Sequence, residues 1–282
     1  TEEEFSHSWV DLAHDTLLGE SDDGSTVVAF GQVIAPPDPE SIVRSILVGG
    51  VDPAHRGRGI GRSLLAWQEG RARQQLAASS LELPGWIMAY SQERSADAGR
   101  LFERAGFATE RYFSQLDRVL ADPIPELELP APLRIVNLSP ELFEATRLAK
   151  NDAFRDHWGS QPTSVEGWDG MMSLPSRRLD LSFLAMDGDE VVGLVVAEVT
   201  ESDWELQGFR GSYIALVGVV AAWRRRGVAP ALLAATLRAS RDDGLERSVL
   251  DVDSDSPTGA LALYTGMGFR LINGSRAHVL SF

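Results

Sequence analysis

The chain of 282 residues contains no cysteine. This absence excludes disulfide bonds, thiolate metal sites and cysteine nucleophiles, although it does not by itself assign a compartment. The five histidines are scattered along the chain without the spacing of metal ligands, so we expect no metal site.

Positive charge and long apolar runs are scarce as well. Lysine and arginine number 26 against 41 aspartates and glutamates, and the net charge of −15 disfavours binding to nucleic acid. No apolar run reaches the roughly 18 residues of a membrane span, and no segment resembles a signal peptide. We therefore expect a cytoplasmic protein without a nucleic-acid or membrane partner, and nothing in the composition sets an oligomeric state.

What the sequence does contain is a turn rich in glycine and arginine at residues 51–70, VDPAHRGRGIGRSLLAWQEG. A strand-like stretch stops at Pro53, and a helical pattern follows with Gln68 and Glu69 on its polar side. The free N–H groups and partial positive charge of a helix N-terminus suit an anion, which glycines allow to approach closely. The dinucleotide fingerprint and the P-loop ending are both absent, so neither of these phosphate motifs applies.

The same pattern occurs a second time at residues 219–240, VVAAWRRRGVAPALLAATLRAS. The copies align without a gap at an offset of 168 residues, as three pairs show: Val51 with Val219, Arg56 with Arg224, and Gly59 with Gly227. Each copy is followed by a second shared signal, RLFERAGF at residues 100–107 and ALYTGMGF at residues 262–269. Two signals that recur in the same order indicate a duplicated domain.

Both copies resemble the central motif of the GNAT superfamily of acyl-CoA-dependent N-acyltransferases, [QR]-x-x-G-x-[GA], as RGRGIG at residues 56–61 and RRRGVA at residues 224–229. In that superfamily the loop and the first helical turn bind the pyrophosphate of coenzyme A, so the resemblance implies acetyl-CoA as the acyl donor. It implies the following cofactor-binding residues in the second copy: Val217, Gly218, Val219, Arg224, Arg225, Arg226, Gly227, Val228, Ala229 and Pro230. In the first copy the corresponding residues are Val51, Arg56, Gly57, Arg58, Gly59, Ile60, Gly61 and Arg62.

A proline-rich connector separates the two copies. The stretch LADPIPELELPAPL, residues 120–133, has four prolines and little helical periodicity. We therefore expect a first domain at residues 1–119, a linker at residues 120–132 and a second domain at residues 133–282. The resemblance implies that these are two tandem GNAT domains of the α/β class, each an α+β arrangement around a mixed sheet.

The first domain has much less chain in front of its motif than the second. Only strand-like stretches at residues 16–20 and 26–34 precede it, apart from the strand that leads into the motif. The second domain has strand-like stretches at residues 133–137, 181–186 and 191–199, and helical patterns around residues 140–154 and 165–172. We therefore expect the first domain to be truncated and non-catalytic.

Acyl transfer from a thioester to an amine needs a bound cofactor, a neutral amine, a polarised carbonyl and a proton for the leaving thiolate. The resemblance implies Tyr264 as the general acid, because many GNAT enzymes place this hydroxyl near the cofactor sulfur. The alternative is a tyrosine that only packs its ring beside Phe269. The aligned residue in the first copy is Phe102, which has no hydroxyl, so we expect turnover only in the second domain.

The general base and the acceptor site are less defined. Many relatives carry an acidic residue on the fourth strand, but SYIALVGV at residues 212–219 contains none. Glu198, Asp251 and Asp253 are the nearest carboxylates, and a structural or solvated role is the alternative for each. The segment NDAFRDHWG at residues 151–159 joins the two early helices where GNAT enzymes commonly bind the acceptor. The candidate substrate contacts are Asp156, His157, Trp158 and Tyr213; for the first three the alternative is a helix end with an anchored aromatic ring.

Two functions compete at this point. The first is an acetyl-CoA-dependent N-acetyltransferase that acts on the primary amine of a small molecule. Its tandem arrangement resembles that of the mycothiol synthase family, and aminoglycosides or amino acids are other possible acceptors. The second is a non-catalytic acyl-CoA-binding regulatory protein, which Phe102 and the missing base favour and Tyr264 opposes.

Overall fold

The computed structural model describes residues 10–255 and 259–282, and the chain packs into two compact units. Unit 1 comprises Thr1–Tyr112 together with Gly274–Phe282, and unit 2 comprises Phe113–Asn273. The units are therefore not consecutive stretches of chain, and the linear domain boundaries at residues 119 and 132 remain a prediction. No helix in the described ranges is both long enough and apolar enough to cross a bilayer.

The described chain combines helices with strands that form mixed sheets, which confirms the α/β class with a mixed sheet. The helices are α1 (Leu12–Asp15), α2 (Ile60–Ala78), α3 (Ala96–Arg104), α4 (Phe143–Ala153), α5 (Val165–Met172), α6 (Trp204–Gln207), α7 (Val228–Asp242) and α8 (Ala260–Gly266). The strands are β1 (Thr16–Glu20), β2 (Val27–Ile34), β3 (Val43–Val51), β4 (Gly85–Gln92), β5 (Ala108–Val119), β6 (Arg134–Asn137), β7 (Arg177–Asp187), β8 (Glu190–Glu198), β9 (Gly211–Val219), β10 (Arg247–Asp253) and β11 (Arg270–Ser281).

Unit 1 contains a mixed sheet in the order β1-β2-β3-β4, with the later part of β11 beside β4. The pair of β3 and β4 is parallel, and the other pairs in this order are antiparallel. Helix α2 contacts β2, β3 and β4, and its Leu65 joins Val33, Leu47 and Ile87 in the apolar core. The helix that follows the first glycine loop is therefore the core helix of unit 1.

Gln68 of α2 does not lie on a solvated polar face, so this detail of the expected helix was wrong. The residue is only 5% exposed. Its Nε2 donates hydrogen bonds to the carbonyl oxygens of Gln32 (3.1 Å) and Val48 (2.8 Å). Burial is tolerated because the amide satisfies two sheet carbonyls, whereas the neighbouring Glu69 forms a partly exposed ion pair with Arg73.

Unit 2 contains a second mixed sheet in the order β6-β7-β8-β9-β10, completed by the later part of β5 beside β10. Helix α7 packs on one face and helices α4 and α5 pack on the other, as the alternating side chains of β8 show. Val195 and Ala197 join the core that contains α7, and Leu194 and Val196 join the core that contains α4 and α5. Both faces of this sheet are therefore covered by helices.

Most elements expected in front of the second motif are present. Helix α5 has the expected bounds, and α4 follows a 3₁₀ turn at Pro140–Leu142 inside the expected helical region. Strand β7 begins at Arg177, earlier than the expected residue 181, because its pairing with β8 resumes beyond an irregularity between Arg178 and Phe183. In unit 1 the short helix α1 was not expected.

Candidate functional site

The candidate site begins where β9 separates from β10. Their parallel pairing covers only three residues of β9 and ends with Tyr213 opposite Val249. Beyond this point, residues 214–219 of β9 pair with β8 and, in the described chain, not with β10. The two strands therefore enclose a wedge that opens toward the C-terminal end of β9.

A β-bulge at Ala215 accompanies this separation. In the pairing of β8 with β9, Val196 faces Leu216 whereas Ala197 faces Ile214, so one residue of β9 has no counterpart. A bulge bends its strand and redirects the side chains and peptide groups that follow. The bulge therefore lies at the start of the wedge, where it turns the last residues of β9 away from β10.

The second glycine loop follows the end of β9, at the open end of the wedge. A 3₁₀ turn at Ala221–Trp223 leads to Arg225 and Gly227, whose φ angles are +60° and +84°, and α7 then begins at Val228. No side chain caps this helix, and the described residues provide no acceptor for the backbone N–H groups of residues 226–229. A Cβ on Gly227 would meet nothing within 4 Å. The loop thus presents a row of free donors beside open space, at the positive end of a helix.

Arg224 has a structural role that the sequence did not reveal. Its Nε donates to the carbonyl oxygen of Val219 (3.2 Å), and a terminal nitrogen donates to that of Ala153 (3.0 Å). The other terminal nitrogen forms an ion pair with Asp156 at 3.2 Å. The guanidinium therefore fastens the loop to the end of β9 and to the end of α4, and it is already engaged within the protein.

The two following arginines have more freedom. Arg225 and Arg226 are both exposed. The guanidinium carbon of Arg226 lies 4.9 Å from the ring centroid of Trp223, a cation–π distance. These two cations lie beside the row of free N–H groups and strengthen the local positive potential in a strongly acidic chain.

The end of α4 forms a wall beside the wedge. A Cβ built on Gly218 would lie 3.0 Å from Cε2 of Phe154, a tighter contact than is usual, so the glycine allows the end of α4 to approach β9 closely. Asp152 accepts a hydrogen bond from the N–H of Ala221 at 3.4 Å. The segment at residues 151–159, predicted to bind the acceptor, therefore contacts the end of β9 and the start of the glycine loop.

His157 lies in this wall, and the partly buried Trp158 follows it in the chain. The His157 ring centroid is 4.6 Å from that of Phe154. Burial and the nearby charge of Arg224 lower the pKa of His157. We therefore expect a neutral imidazole at physiological pH.

Tyr264, the predicted acid, lies on α8 and is 7% exposed. Its ring meets Phe269 edge-on with centroids 5.9 Å apart, and it belongs to the same apolar cluster as Val217 and Val219 of β9. Burial raises the pKa of Tyr264 to about 12, so the phenol carries its proton at neutral pH. The described residues offer its hydroxyl no hydrogen bond.

Tyr213 lies at the narrow end of the wedge. Its hydroxyl donates to Oδ2 of Asp251 at 3.0 Å, and Nε2 of Gln115 donates to the same oxygen at 3.3 Å. Burial, followed by the charge of Asp251 and this hydrogen bond, raises the pKa of Tyr213, and Glu198 adds to the effect. Three strands thus converge on one carboxylate, a contact that sequence reasoning missed because its partners are far apart in the chain.

The matching place in unit 1 is built differently. Gly57 and Gly59 have φ angles of +76° and +90°, and Nε of Arg56 donates to the carbonyl oxygen of Val51 at 3.1 Å, so the loop has the same bend. Phe102, however, stacks on the ring of His278 with centroids 4.9 Å apart. The first loop therefore has the same backbone bend as the second, but unit 1 has Phe102 at the position that aligns with Tyr264 and so lacks the phenol hydroxyl.

Comparison with known proteins agrees with this duplicated geometry. Residues 14–109 match the acetyltransferase (GNAT) domain, and residues 143–269 match the acetyltransferase (GNAT) family. The mycothiol acetyltransferase of Thermobispora bispora is 31% identical over 249 residues, which span 88% of this chain and 78% of that protein. The chain belongs to the GNAT acetyltransferase family.

Two further similarities place this GNAT chain among its relatives. The mycothiol acetyltransferase of Frankia casuarinae is 32% identical over 232 residues, which cover 78% of this chain and 63% of that protein. The chain thus spans less than two thirds of the length of this relative. A GCN5-related N-acetyltransferase from Sphaerobacter thermophilus has a TM-score of 0.78 and 26% identity over 97% of this chain and 82% of that one.

Proposed function

We propose that unit 2 transfers an acetyl group from acetyl-CoA to the primary amine of a small molecule. The observation that carries this proposal is the row of free N–H groups at residues 226–229, at the open end of the wedge between β9 and β10. Free amides at a helix N-terminus suit a pyrophosphate, and an open strand edge suits an extended chain that forms hydrogen bonds with it.

The residues present fit the donor. Residues 225–230 would hold the pyrophosphate, because Gly227 leaves open space and Pro230, which has no N–H, lies in the first helical turn where none is needed. Val217, Gly218 and Val219 would offer backbone groups to the pantetheine arm, since they have no pairing with β10 in the described chain. When bound, the thioester supplies the activated acetyl group.

Tyr264 is the residue we assign to the leaving thiolate. Its phenol is protonated, because burial raises its pKa to about 12, and it shares an apolar cluster with Val217 and Val219. A buried proton donor with no hydrogen-bond partner among the described residues is available to a new acceptor. Tyr264 would give its proton to the sulfur as the carbon–sulfur bond breaks and regain one from solvent.

The acceptor would enter from the wall formed by the end of α4. Asp156, His157 and Trp158 lie on this side, and Tyr213 lies at the narrow end of the wedge. The names of the relatives support a small-molecule acceptor related to mycothiol, with aminoglycosides and amino acids as further members of the same chemical class. Acetyl-CoA is available in the cytoplasm, which we propose as the location.

Unit 1 we propose to be a non-catalytic GNAT domain. Its loop has the same bend and the same open space at Gly57 and Gly59, which supports a scaffold role or a second acyl-CoA site. Phe102 provides no proton at the position that Tyr264 occupies in unit 2.

A thiol-release assay tests the proposed function. The full chain is incubated with acetyl-CoA and one of three amines, cysteinyl-glucosaminyl-inositol, kanamycin or L-methionine. Release of CoA thiol is measured with a chromogenic disulfide for kanamycin and L-methionine, and by loss of the ultraviolet absorbance of the thioester for cysteinyl-glucosaminyl-inositol, whose own thiol reacts with the disulfide. We expect release that depends on the amine and saturates with it. Binding of acetyl-CoA in calorimetry without release by any amine would instead support the acyl-CoA-binding regulatory protein.

A further inference from the structure

We propose that Asp251 binds the ammonium group of the acceptor and removes its proton, and that Tyr213 is the residue that positions Asp251. This inference rests on the proposed function and supplies the base that the sequence did not identify. The geometry points to Asp251 through its place on β10 and because the described residues leave one of its oxygens without a hydrogen bond and provide no cationic partner.

The first step is the place of Asp251 in the sheet. Val249 is the last residue of β10 that pairs with β9, and Asp251 follows two residues later, where the wedge has begun to open. Leu250 and Val252 on either side of it belong to the core that contains α7. Since successive side chains of a strand point to opposite faces, Asp251 points to the face on which α4 packs.

That face is the one from which the acceptor would enter. The approach of Phe154 to Gly218 places the end of α4 on it, beside the end of β9. Asp251 is exposed, so its carboxylate is accessible to a ligand from solvent. A carboxylate at this position lies on the acceptor side of the wedge.

The second step is the hydrogen bonding of the carboxylate. Tyr213 and Gln115 both donate to Oδ2, at 3.0 and 3.3 Å. No described residue bonds to Oδ1. Two strands thus hold the carboxylate through one oxygen, and the second oxygen remains available to an N–H donor.

The third step compares Asp251 with the other carboxylates in the region. Glu198 is ion-paired with Arg177 at 3.2 Å, and Asp156 is ion-paired with Arg224 at 3.2 Å. The described partners of Asp251 are both uncharged, so no cation among the described residues is paired with it. An ammonium group would meet a negative charge there that is not already ion-paired within the described residues, which favours its binding.

The charged and titratable groups around Asp251 come from several elements. Tyr213 is contributed by β9, Glu198 with its Arg177 partner by β8 and β7, and Asp253 by β10 itself. Gln115 of β5 adds an uncharged amide. The surroundings are therefore acidic overall, which favours an acceptor that arrives as a cation.

The reaction step balances in atoms and charge. The acceptor ammonium donates a hydrogen bond to Oδ1 of Asp251 and transfers one proton to it, and the freed lone pair forms the bond from nitrogen to the acetyl carbon. The carbon–sulfur bond breaks, and the sulfur takes the proton of Tyr264. The second proton of the amine nitrogen is lost to solvent as the amide forms, Tyr264 regains a proton, and Asp251 releases its own.

The test compares Asp251→Asn with the unmodified chain, using the most active amine of the panel above. We expect kcat/KM for the amine to fall by about a hundredfold to ten-thousandfold, the range for loss of a general base, while the Kd for acetyl-CoA stays unchanged. Asp251→Glu should restore part of the rate.

Two further variants separate a positioning role from simple destabilisation. Tyr213→Phe should raise KM and lower kcat together by about tenfold, because it removes one hydrogen bond to a charged group and leaves the carboxylate in place. Asp189→Asn, which removes the same charge from an exposed hairpin turn, should leave the kinetics unchanged.

A spectroscopic measurement that does not depend on enzyme activity tests the contact between Tyr213 and Asp251 directly. The ultraviolet titration of the four tyrosines should show that Asp251→Asn lowers the pKa of Tyr213, since the charge of Asp251 and its hydrogen bond raise it. Tyr213→Phe identifies which part of the titration belongs to this residue. An unchanged titration in Asp251→Asn contradicts the contact on which the inference depends.

The failures of the two proposals are distinguishable. If the unmodified chain releases thiol with an amine and Asp251→Asn keeps the same kcat/KM for that amine, the inference is wrong and the proposed function stands. If the unmodified chain releases no thiol with any amine, the proposed function fails and this inference fails with it.

Discussion

The two glycine loops have nearly the same backbone and different surroundings. Positive φ angles occur at Gly57 and Gly59 in unit 1 and at Arg225 and Gly227 in unit 2, at the same offset of 168 residues. In both, the preceding arginine donates its Nε to the carbonyl oxygen at the end of the strand, at 3.1 and 3.2 Å. The bend of the loop is therefore a property of the fold and does not by itself show which copy is catalytic.

The strands that lead into the two loops differ more between the units than the loops themselves do. In unit 1, β2 and β3 pair over six residues without an irregularity, and β3 pairs with β4 over five. In unit 2 a bulge interrupts β9, and its pairing with β10 stops after three residues. Strand separation itself is common to both units, because β3 pairs with β4 only as far as Leu47 and continues to Val51. Unit 2 adds the bulge in β9 and Tyr264 on α8, and we propose that these two features distinguish the catalytic copy.

The largest effect should come from the phenol that distinguishes the copies. Tyr264→Phe should lower kcat by about a hundredfold to ten-thousandfold, because it removes a positioned proton donor, and should leave the Kd for acetyl-CoA nearly unchanged. Steady-state thiol release measures the rate and calorimetry the binding. Phe102→Tyr is the matched control and should change nothing; full activity of Tyr264→Phe contradicts the assignment of the acid.

The loops themselves provide the next comparison. Gly227→Val and Gly59→Val should each destabilise the protein by roughly 1–3 kcal/mol, because φ angles of +84° and +90° are unfavourable for a branched side chain. Only Gly227→Val should also weaken acetyl-CoA-dependent turnover, by at least about tenfold, since its side chain fills the space beside the free N–H groups. The opposite result, with turnover lost only in Gly59→Val, would assign the chemistry to unit 1.

The arginines at the strand ends should differ in stability. Arg224→Gln loses hydrogen bonds to Val219 and Ala153 and an ion pair with Asp156, so we expect the free energy of unfolding to fall by about 1–3 kcal/mol. Arg56→Gln loses fewer contacts at a more exposed site and should lose less than about 1 kcal/mol. Urea denaturation of both variants measures the difference, and equal losses would show that the contacts with the end of α4 contribute nothing.

The smallest effect should come from the exchange of Gly57 and Arg225. Arg225→Gly should stabilise unit 2 by up to about 1 kcal/mol, because a glycine adopts a φ of +60° without steric cost. Gly57→Arg should destabilise unit 1 by a similar amount. Thermal unfolding records both shifts, and a loss of stability in Arg225→Gly shows that the arginine side chain contributes more than its backbone strain costs.

Several parts of this fold could be predicted from local patterns, and others could not. The bounds of β1 and α5 match the strand-like stretch and the helical pattern in the sequence, and the loop bend follows from the repeated glycine motif. The bulge at Ala215 has no signal in its residue type, because it depends on how β9 pairs with β8. Gln68 was expected in solvent because a glutamine on a helix is usually exposed, and only its two sheet carbonyls explain its burial.

In the candidate site, too, some residues could be predicted from local patterns and others could not. The repeat and the family motif indicated the loop residues and Tyr264, because these are short segments with a fixed spacing. The contact between Gln115 and Asp251 joins residues 136 positions apart, and no local pattern indicates such a pair. The structural role of Arg224 could not be predicted either. Arg56 makes the same bond to the end of its own strand, but these hydrogen bonds become visible only in the folded loops.

The position of the last strand has a consequence for biosynthesis. Residues 275–281 of β11 pair with β4 in unit 1, and Gly85 exchanges both backbone hydrogen bonds with Phe282, at 3.1 and 2.8 Å. During translation these residues are synthesised only after the whole of residues 113–273. Until then β4 has an unpaired edge of the kind that promotes aggregation. The nascent first half of this protein therefore needs protection while the second half is synthesised, and a chaperone is suited to provide it.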